Sequence, residues 1–139
     1  MSVYVIDASV GFKWLFPEEF EAQADELISK AHTLWVPDLF FSEITNILWK
    51  RVRAGLIDQK VAKNSIKALE DFNLKVARTL DLQIPALEIA CLAGQSTYDC
   101  LYVALAVEQN TQMITADKRL YNALQSTQFA TFVEWIGNL

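Results

Sequence analysis

Short apolar runs alternate along the chain with longer stretches of helical periodicity. The runs at 3–6, 33–36, 74–80 and 111–115 predict strands, and 129–133 is a further candidate. The first run has no polar position before it ends at Asp7, which indicates a strand buried on both faces, as in a parallel sheet.

Helical periodicity fills the intervals, at 17–31, 38–53, 58–72, 81–93, 99–109 and 118–125. Gly55 is a stop signal for the second helix, and Asp58 is an N-cap for the third, whose Val61, Ile66 and Leu69 are predicted to face inward. Strands alternating with helices predict an α/β domain with a mostly parallel sheet. Without a linker or repeat, residues 1–139 are expected to form one domain.

Composition excludes several classes of protein. The chain of 139 residues is 53% hydrophobic, enough for a sizeable core, and its two cysteines are too few for a disulfide scaffold. A single histidine leaves no partner for a histidine-based zinc site. The sequence shows neither a signal peptide nor an apolar stretch of the roughly 18 residues that a membrane span needs. We therefore expect a cytoplasmic protein with no membrane partner.

Four acidic residues stand out because they interrupt or directly follow apolar segments. Asp7 and Asp117 each follow a predicted strand, at the sheet edge where ligands bind in open parallel sheets. Asp99 opens a strongly apolar helix, and Glu43 lies within another. Local structure offers a second explanation: Asp99 and Asp117 are also good N-caps, and Glu43 fits the wet side of its helix equally well.

Together, the four carboxylates predict a cluster that cannot be fully ionised without cations. Ligands that are all oxygen favour Mg²⁺ or Mn²⁺ over zinc. The matching chemistry is metal-assisted displacement at phosphorus, in which metal ions activate water and stabilise the leaving oxygen.

The sequence resembles the PIN-domain nucleases, and specifically the VapC-type toxins of bacterial toxin–antitoxin pairs. Four runs carry the resemblance in order and spacing: VIDASVGFKWLFPEE at 5–19, SEITNILWK at 42–50, STYDCLYVALA at 96–106 and MITADKRL at 113–120. The resemblance implies an α/β/α sandwich and a Mg²⁺- or Mn²⁺-dependent endoribonuclease that cleaves RNA with metal-activated water. It also implies a small cognate antitoxin of the VapB type and a toxin homodimer, with a higher toxin–antitoxin assembly as a further possibility.

The resemblance also implies roles for individual residues. Asp7, Glu43 and Asp99 match the family's acids that hold the principal metal, and Asp117 matches the acid that completes the cluster. Hydroxyl positions near the site correspond to Ser9 and Thr115, which are expected to orient carboxylates and water. Asn46 matches a polar residue that the family commonly has one helical turn beyond the position of Glu43.

The net charge of −5 argues at first against a nucleic-acid partner, but the charges are uneven. Residues 50–67 hold six basic side chains against one acid, a local charge of +5. This stretch is interpreted as an RNA-contacting patch or, equally, as a solvated helix surface. The candidate RNA contacts, which include two lysines beside the motifs, are Lys13, Lys50, Arg53, Lys60, Lys63, Lys67 and Lys118.

Two other functions remain open at this point. One is a different Mg²⁺-dependent phosphohydrolase on a similar sheet, such as a haloacid dehalogenase-like phosphatase; that chemistry needs a second Asp where this chain has Ser9. The other is a binding module that keeps the PIN fold without catalysis.

Overall fold

Five parallel strands form one central sheet in the order β3-β2-β1-β4-β5. This computed structural model describes residues 2–139. The strands are β1 (Val3–Ile6), β2 (Thr33–Pro37), β3 (Leu74–Ala77), β4 (Gln112–Thr115) and β5 (Val133–Trp135).

Seven α-helices occur within residues 2–139. They are α1 (Ala8–Gly11), α2 (Glu21–Ser29), α3 (Leu39–Arg53), α4 (Gln59–Ala68), α5 (Gln83–Ala93), α6 (Thr97–Glu108) and α7 (Lys118–Gln125). Short 3₁₀ turns extend or link these elements at Phe12–Trp14, Leu69–Asp71, Thr79–Leu82, Ala130–Phe132 and Ile136–Asn138.

The order of the strands determines where a site can form. The chain runs outward from β1 through β2 to β3, then returns to place β4 on the other side of β1. Right-handed crossovers therefore place α1–α4 on one face of the sheet and α5–α7 on the other. The winding reverses between β1 and β4, and the carboxyl ends of these two strands border the crevice where open α/β sheets bind ligands.

The predicted α/β architecture with a mostly parallel sheet is confirmed, and all the strand pairs of the sheet are parallel. β1 matches its predicted limits. α3 begins at Leu39, one residue after its predicted start at Asp38. α6 starts two residues before Asp99 because the Ser96 side chain caps it. The terminal strand lies two to four residues later than predicted, at Val133–Trp135.

Other predicted limits are wrong for local reasons. The helix expected from Pro17 begins only at Glu21, because Phe20 adopts a left-handed conformation with φ of 66°. The strand expected to reach Leu80 ends at Ala77, where a 3₁₀ turn follows. Leu69, in the 3₁₀ turn that directly follows α4, is buried as predicted.

Val61 and Ile66, in contrast, are 40% and 38% exposed, so the prediction that they face inward is wrong. Of the residues of α4, only Ala62 is buried, which makes its contact with the rest of the fold a narrow one. Among residues 2–139, no helix has the length and apolar character needed to cross a bilayer.

Candidate active site

Two of the four acids lie where the winding of the sheet reverses. Asp7 follows β1 and Asp117 follows β4, and these strands pair in parallel register, with Ile6 opposite Ile114. The backbone N–H of Asp7 donates to the carbonyl of Ile114 at 3.3 Å. The sequence-based placement of both acids at one sheet edge is therefore confirmed.

Two helices bring the other acids to the same place. Glu43 projects from α3 and Asp99 from the first turn of α6, and a cavity of about 450 Å³ lies between these walls. All four acids line it, together with Ala8, Ser9, Leu39, Ser42, Asn46, Ile47, Lys50, Tyr98 and Tyr102. Asn46 thus lies in the cavity wall as expected.

Hydroxyl groups hold the two strand-end acids in place. Ser9 Oγ donates to Asp7 Oδ1 at 2.6 Å and accepts the backbone N–H of Ala116 at 2.9 Å. Thr115 is fully buried, and its Oγ1 accepts the backbone N–H of Asp117 at 3.0 Å. Ser9 therefore ties the end of β1 to the segment that follows β4, which is the orienting geometry expected of it.

Helix capping and a place in the site are not exclusive explanations. Asp117 caps α7 by accepting the backbone N–H of Leu120 at 3.1 Å, yet it also lines the cavity. Asp99 is not a cap, because Ser96 occupies that position and accepts the Asp99 N–H at 3.2 Å. Glu43 is half-buried and faces the cavity, so the interpretation that it lies on the wet side of its helix is wrong.

The carboxylates lie close enough to affect each other electrostatically. Burial raises the pKa of Asp7 from its ordinary value of 3.8 to about 6, against the hydrogen bonds of Ser9 and Thr115, and Glu43 raises it further. Burial is also the main cause of the raised pKa of Glu43, to which Asp99 adds. Burial likewise raises the pKa of Asp99, and the charge of Asp117 raises it further. The charges of Glu43, Asp99 and Asp117 thus each disfavour the ionised form of a neighbouring acid.

This donor set has the right chemistry for a hard divalent cation, since every charged ligand atom is a carboxylate oxygen. Two basic residues lie near these acids: Lys50 lines the cavity, and the Arg119 guanidinium lies 3.9 Å from Asp117 Oδ2. Within residues 2–139, no three acidic, histidine or cysteine side chains are already grouped tightly enough to bind a metal ion. A cation held here would therefore be bound by some of the carboxylates directly and by others through water.

The predicted RNA-contacting residues are divided by the structure. Lys50 lines the cavity, whereas α4 carries three exposed lysines outside it, Lys60, Lys63 and Lys67. The prediction for Lys13 is wrong, because this side chain is only 8% exposed and its ammonium group faces Glu18 at 3.8 Å. It is not displayed for contact with a phosphate.

Two further candidates are exposed but stack on aromatic rings. The Arg53 guanidinium lies 4.6 Å from the centroid of the Trp49 ring. The Lys118 ammonium lies 3.5 Å from the centroid of the Trp135 ring. Cation–π contacts of this kind hold the side chain in place while leaving part of the charge available to a ligand.

Sequence reasoning missed two tyrosines of the cavity. Tyr102 is 2% exposed and donates its hydroxyl to Glu43 Oε1 at 2.5 Å, and Tyr98 is 63% exposed at the cavity wall. A signal for Tyr102 was present, since it lies three residues after Asp99 and hence on the same helical face. Nothing in the sequence alone indicated that Tyr98 faces the cavity.

Comparison with known proteins gives consistent results. The PIN domain family model matches residues 4–124. Over 118 residues, the chain is 36% identical to Ribonuclease VapC3 of Pyrobaculum aerophilum, a match that spans 84% of this chain and 90% of that protein.

Solved structures share the fold over nearly the full chain. The crystal structure of PAE2754 from Pyrobaculum aerophilum superposes with a TM-score of 0.73 and 25% identity, covering 99% of this chain and 85% of that one. VapBC2 from Rickettsia felis, bound to a promoter DNA fragment, has a TM-score of 0.69 and 11% identity, covering 96% and 98%. With the family model matching most of its length, the chain belongs to the PIN-domain family.

Proposed function

We propose that this protein is a Mg²⁺- or Mn²⁺-dependent endoribonuclease and the toxin of a VapBC-type toxin–antitoxin pair. One observation carries the proposal: four acids from distant segments of the chain line a single cavity at the reversal point of the sheet. Membership of the PIN-domain family supports it, as does the similarity to a ribonuclease of the VapC type.

The roles of the acids follow from their positions. Asp7, Glu43 and Asp99 hold the principal metal, and Asp117 completes the cluster. The raised pKa values of Asp7, Glu43 and Asp99 mean that a divalent cation relieves an existing electrostatic cost when it binds. A bound cation supplies the Lewis acidity that activates water and stabilises the leaving oxygen. Ser9 keeps the carboxylate of Asp7 oriented, through the hydrogen bond already described.

Thr115 acts from below the cavity. Its buried hydroxyl favours the charged form of Asp7 and fixes the backbone at Asp117. Asn46 adds a polar side chain to the wall on which Glu43 lies.

RNA approaches along the wall formed by α3. Lys50 supplies a positive charge inside the cavity, where a phosphate next to the scissile bond is placed. Tyr98 offers an exposed ring opposite, suited to stacking on an unpaired base. The exposed lysines of α4, with Arg53 and Lys118, contact phosphates farther along the strand.

A VapB-like antitoxin is the proposed partner, because a structural neighbour is a VapBC complex. Exposed apolar side chains are available for such an interaction and for a homodimer. On α3, Trp49 is 52% exposed, and on α5, Ile84 is 74% and Leu92 65% exposed.

An RNA cleavage assay with the variant Asp7→Asn tests the nuclease function. The wild-type protein is expected to cleave RNA only with Mg²⁺ or Mn²⁺, and the variant is expected to lose cleavage. Asp25→Asn, which changes an exposed carboxylate of α2, is the matched control and should retain it.

Three outcomes would contradict the proposal. Equal cleavage by wild type and Asp7→Asn would show that the acids take no part in the reaction. No cleavage with any divalent metal would instead indicate a non-catalytic binding module. Hydrolysis of small phosphomonoesters without RNA cleavage would indicate a different phosphohydrolase.

A further inference from the structure

Tyr102 joins the two helices that carry the acids of the cavity walls. Its hydroxyl donates to Glu43 Oε1 at 2.5 Å across 59 positions of sequence. Among residues 2–139, this is the one side-chain hydrogen bond between α3 and α6. A change at this phenol therefore affects how the two walls are held relative to each other.

The phenol lies among the acids rather than beside a single one. Tyr102 lines the same cavity as Asp7, Glu43 and Asp99. Tyr102 itself is 2% exposed, so solvent barely reaches it. The buried hydroxyl therefore acts as a fixed hydrogen-bond donor to the carboxylate of Glu43.

A fixed donor limits the positions that a flexible carboxylate adopts. Glu43 has three side-chain torsions, and a half-buried glutamate on a helix samples several orientations unless a partner selects one. Because Tyr102 occupies Oε1, the second oxygen, Oε2, is left to bind a cation. Hydrogen bonds to ligating carboxylates commonly orient them in this way.

We infer that Tyr102 is a positioning residue, whose hydroxyl holds Glu43 so that one carboxylate oxygen is presented to the metal. The inference rests on the proposed function, since it concerns the same site. Tyr102 touches neither the reacting atoms nor the substrate in this role; it acts through Glu43.

Mn²⁺ binding tests the inference without RNA. Tyr102→Phe removes one oxygen atom and keeps the ring, and it is expected to weaken Mn²⁺ binding by about 10- to 100-fold, the usual effect of losing a partner of a metal ligand. The measurement is calorimetric titration or electron paramagnetic resonance of free Mn²⁺. Tyr4→Phe, which removes a phenol from β1 beside His32, is the matched control and should bind as wild type.

A double-mutant cycle separates positioning from a general structural effect. In a Glu43→Ala background, Tyr102→Phe is expected to change Mn²⁺ affinity less than twofold, because its target is gone. An equal loss in both backgrounds would overturn the inference, as would an unchanged affinity in the single variant. Thermal unfolding of the metal-free proteins verifies that each variant is folded.

The outcomes also distinguish this inference from the proposed function. Wild-type Mn²⁺ affinity that is insensitive to Tyr102→Phe overturns the inference alone. A wild-type protein that binds no Mn²⁺ overturns the inference and the metal dependence together. Strong Mn²⁺ binding that depends on Tyr102, without RNA cleavage, supports the inference and contradicts the nuclease.

Discussion

Replacing Asp7 with Asn should stabilise the metal-free protein while abolishing its activity. Burial is the main reason that the pKa of Asp7 rises from 3.8 to about 6, so the ionised carboxylate is strained in the folded state above pH 6. At about 1.4 kcal/mol per pH unit, this difference corresponds to about 3 kcal/mol. Asn avoids this cost, and its Oδ1 keeps the acceptor position for Ser9 and Val10.

The expected gain is smaller than this limit, because the new amide N–H₂ group also needs partners in a buried position. We expect Asp7→Asn to raise the free energy of unfolding by about 2 kcal/mol at pH 7.5, or about 6 °C in Tm. The sign of the pH dependence follows from proton binding. Between pH 3.8 and 6, the folded wild type binds more protons at Asp7 than the unfolded chain, so its stability falls as pH rises.

The advantage of the variant should therefore grow with pH and reach its full size above about pH 6. Urea unfolding in the presence of a chelator measures it. At pH 4.5 the charge-dependent part falls from about 3 to about 1 kcal/mol, which the cost of the buried amide offsets, so variant and wild type should then be about equally stable. Asp25→Asn, an exposed substitution on α2, provides the control and should show neither effect. Equal stability of Asp7→Asn and wild type at pH 7.5, or a difference independent of pH, would refute the reasoning. Adding Mn²⁺ should stabilise the wild type selectively.

Three other perturbations have defined expected outcomes. Metal affinity should fall as the pH is lowered through about 6, because protonation of Asp7 competes with the cation; titration calorimetry at pH 5.5 and 7.5 measures this. Gly11→Ala should destabilise the fold by about 1–3 kcal/mol in thermal unfolding, since an added Cβ would lie 2.5 Å from the ring of Phe40. Unfolding at the wild-type temperature would contradict that packing. Lys50→Gln should weaken RNA binding and lower the salt slope of log K by about one, as measured by fluorescence anisotropy in a series of salt concentrations. A loss no larger than that of Lys63→Gln would show that the cavity lysine has no special contact with RNA.

The strand-end part of the site was predictable from sequence, because its logic is local. When a strand is buried in a parallel sheet, an acid that directly follows it lies at the carboxyl edge of that sheet. Asp7 and Asp117 share this arrangement, so their meeting at one edge follows once β1 and β4 are neighbours. Glu43 and Asp99 were recognised from their apolar surroundings and from the motifs around them.

The remaining features depend on contacts that periodicity does not contain. The bond from Tyr102 to Glu43 requires α3 and α6 to meet above the sheet edge, and no local pattern encodes that meeting. Val61 and Ile66 follow a helical stripe, yet they stay exposed because α4 packs on the rest of the fold through little more than Ala62. Lys13 has the sequence position of a substrate contact but is buried against Glu18.

The strand order also determines when a growing chain can acquire its site. β4 lies beside β1 in the middle of the sheet, although Ile114 of β4 follows its partner Ile6 of β1 by 108 positions in the sequence. A polypeptide emerging from the ribosome therefore carries Asp7 and Glu43 long before Asp99 and Asp117 exist to complete the cavity. Under the proposed function, the nascent protein is not expected to cleave RNA until Asp117 has been synthesised and β4 has inserted beside β1.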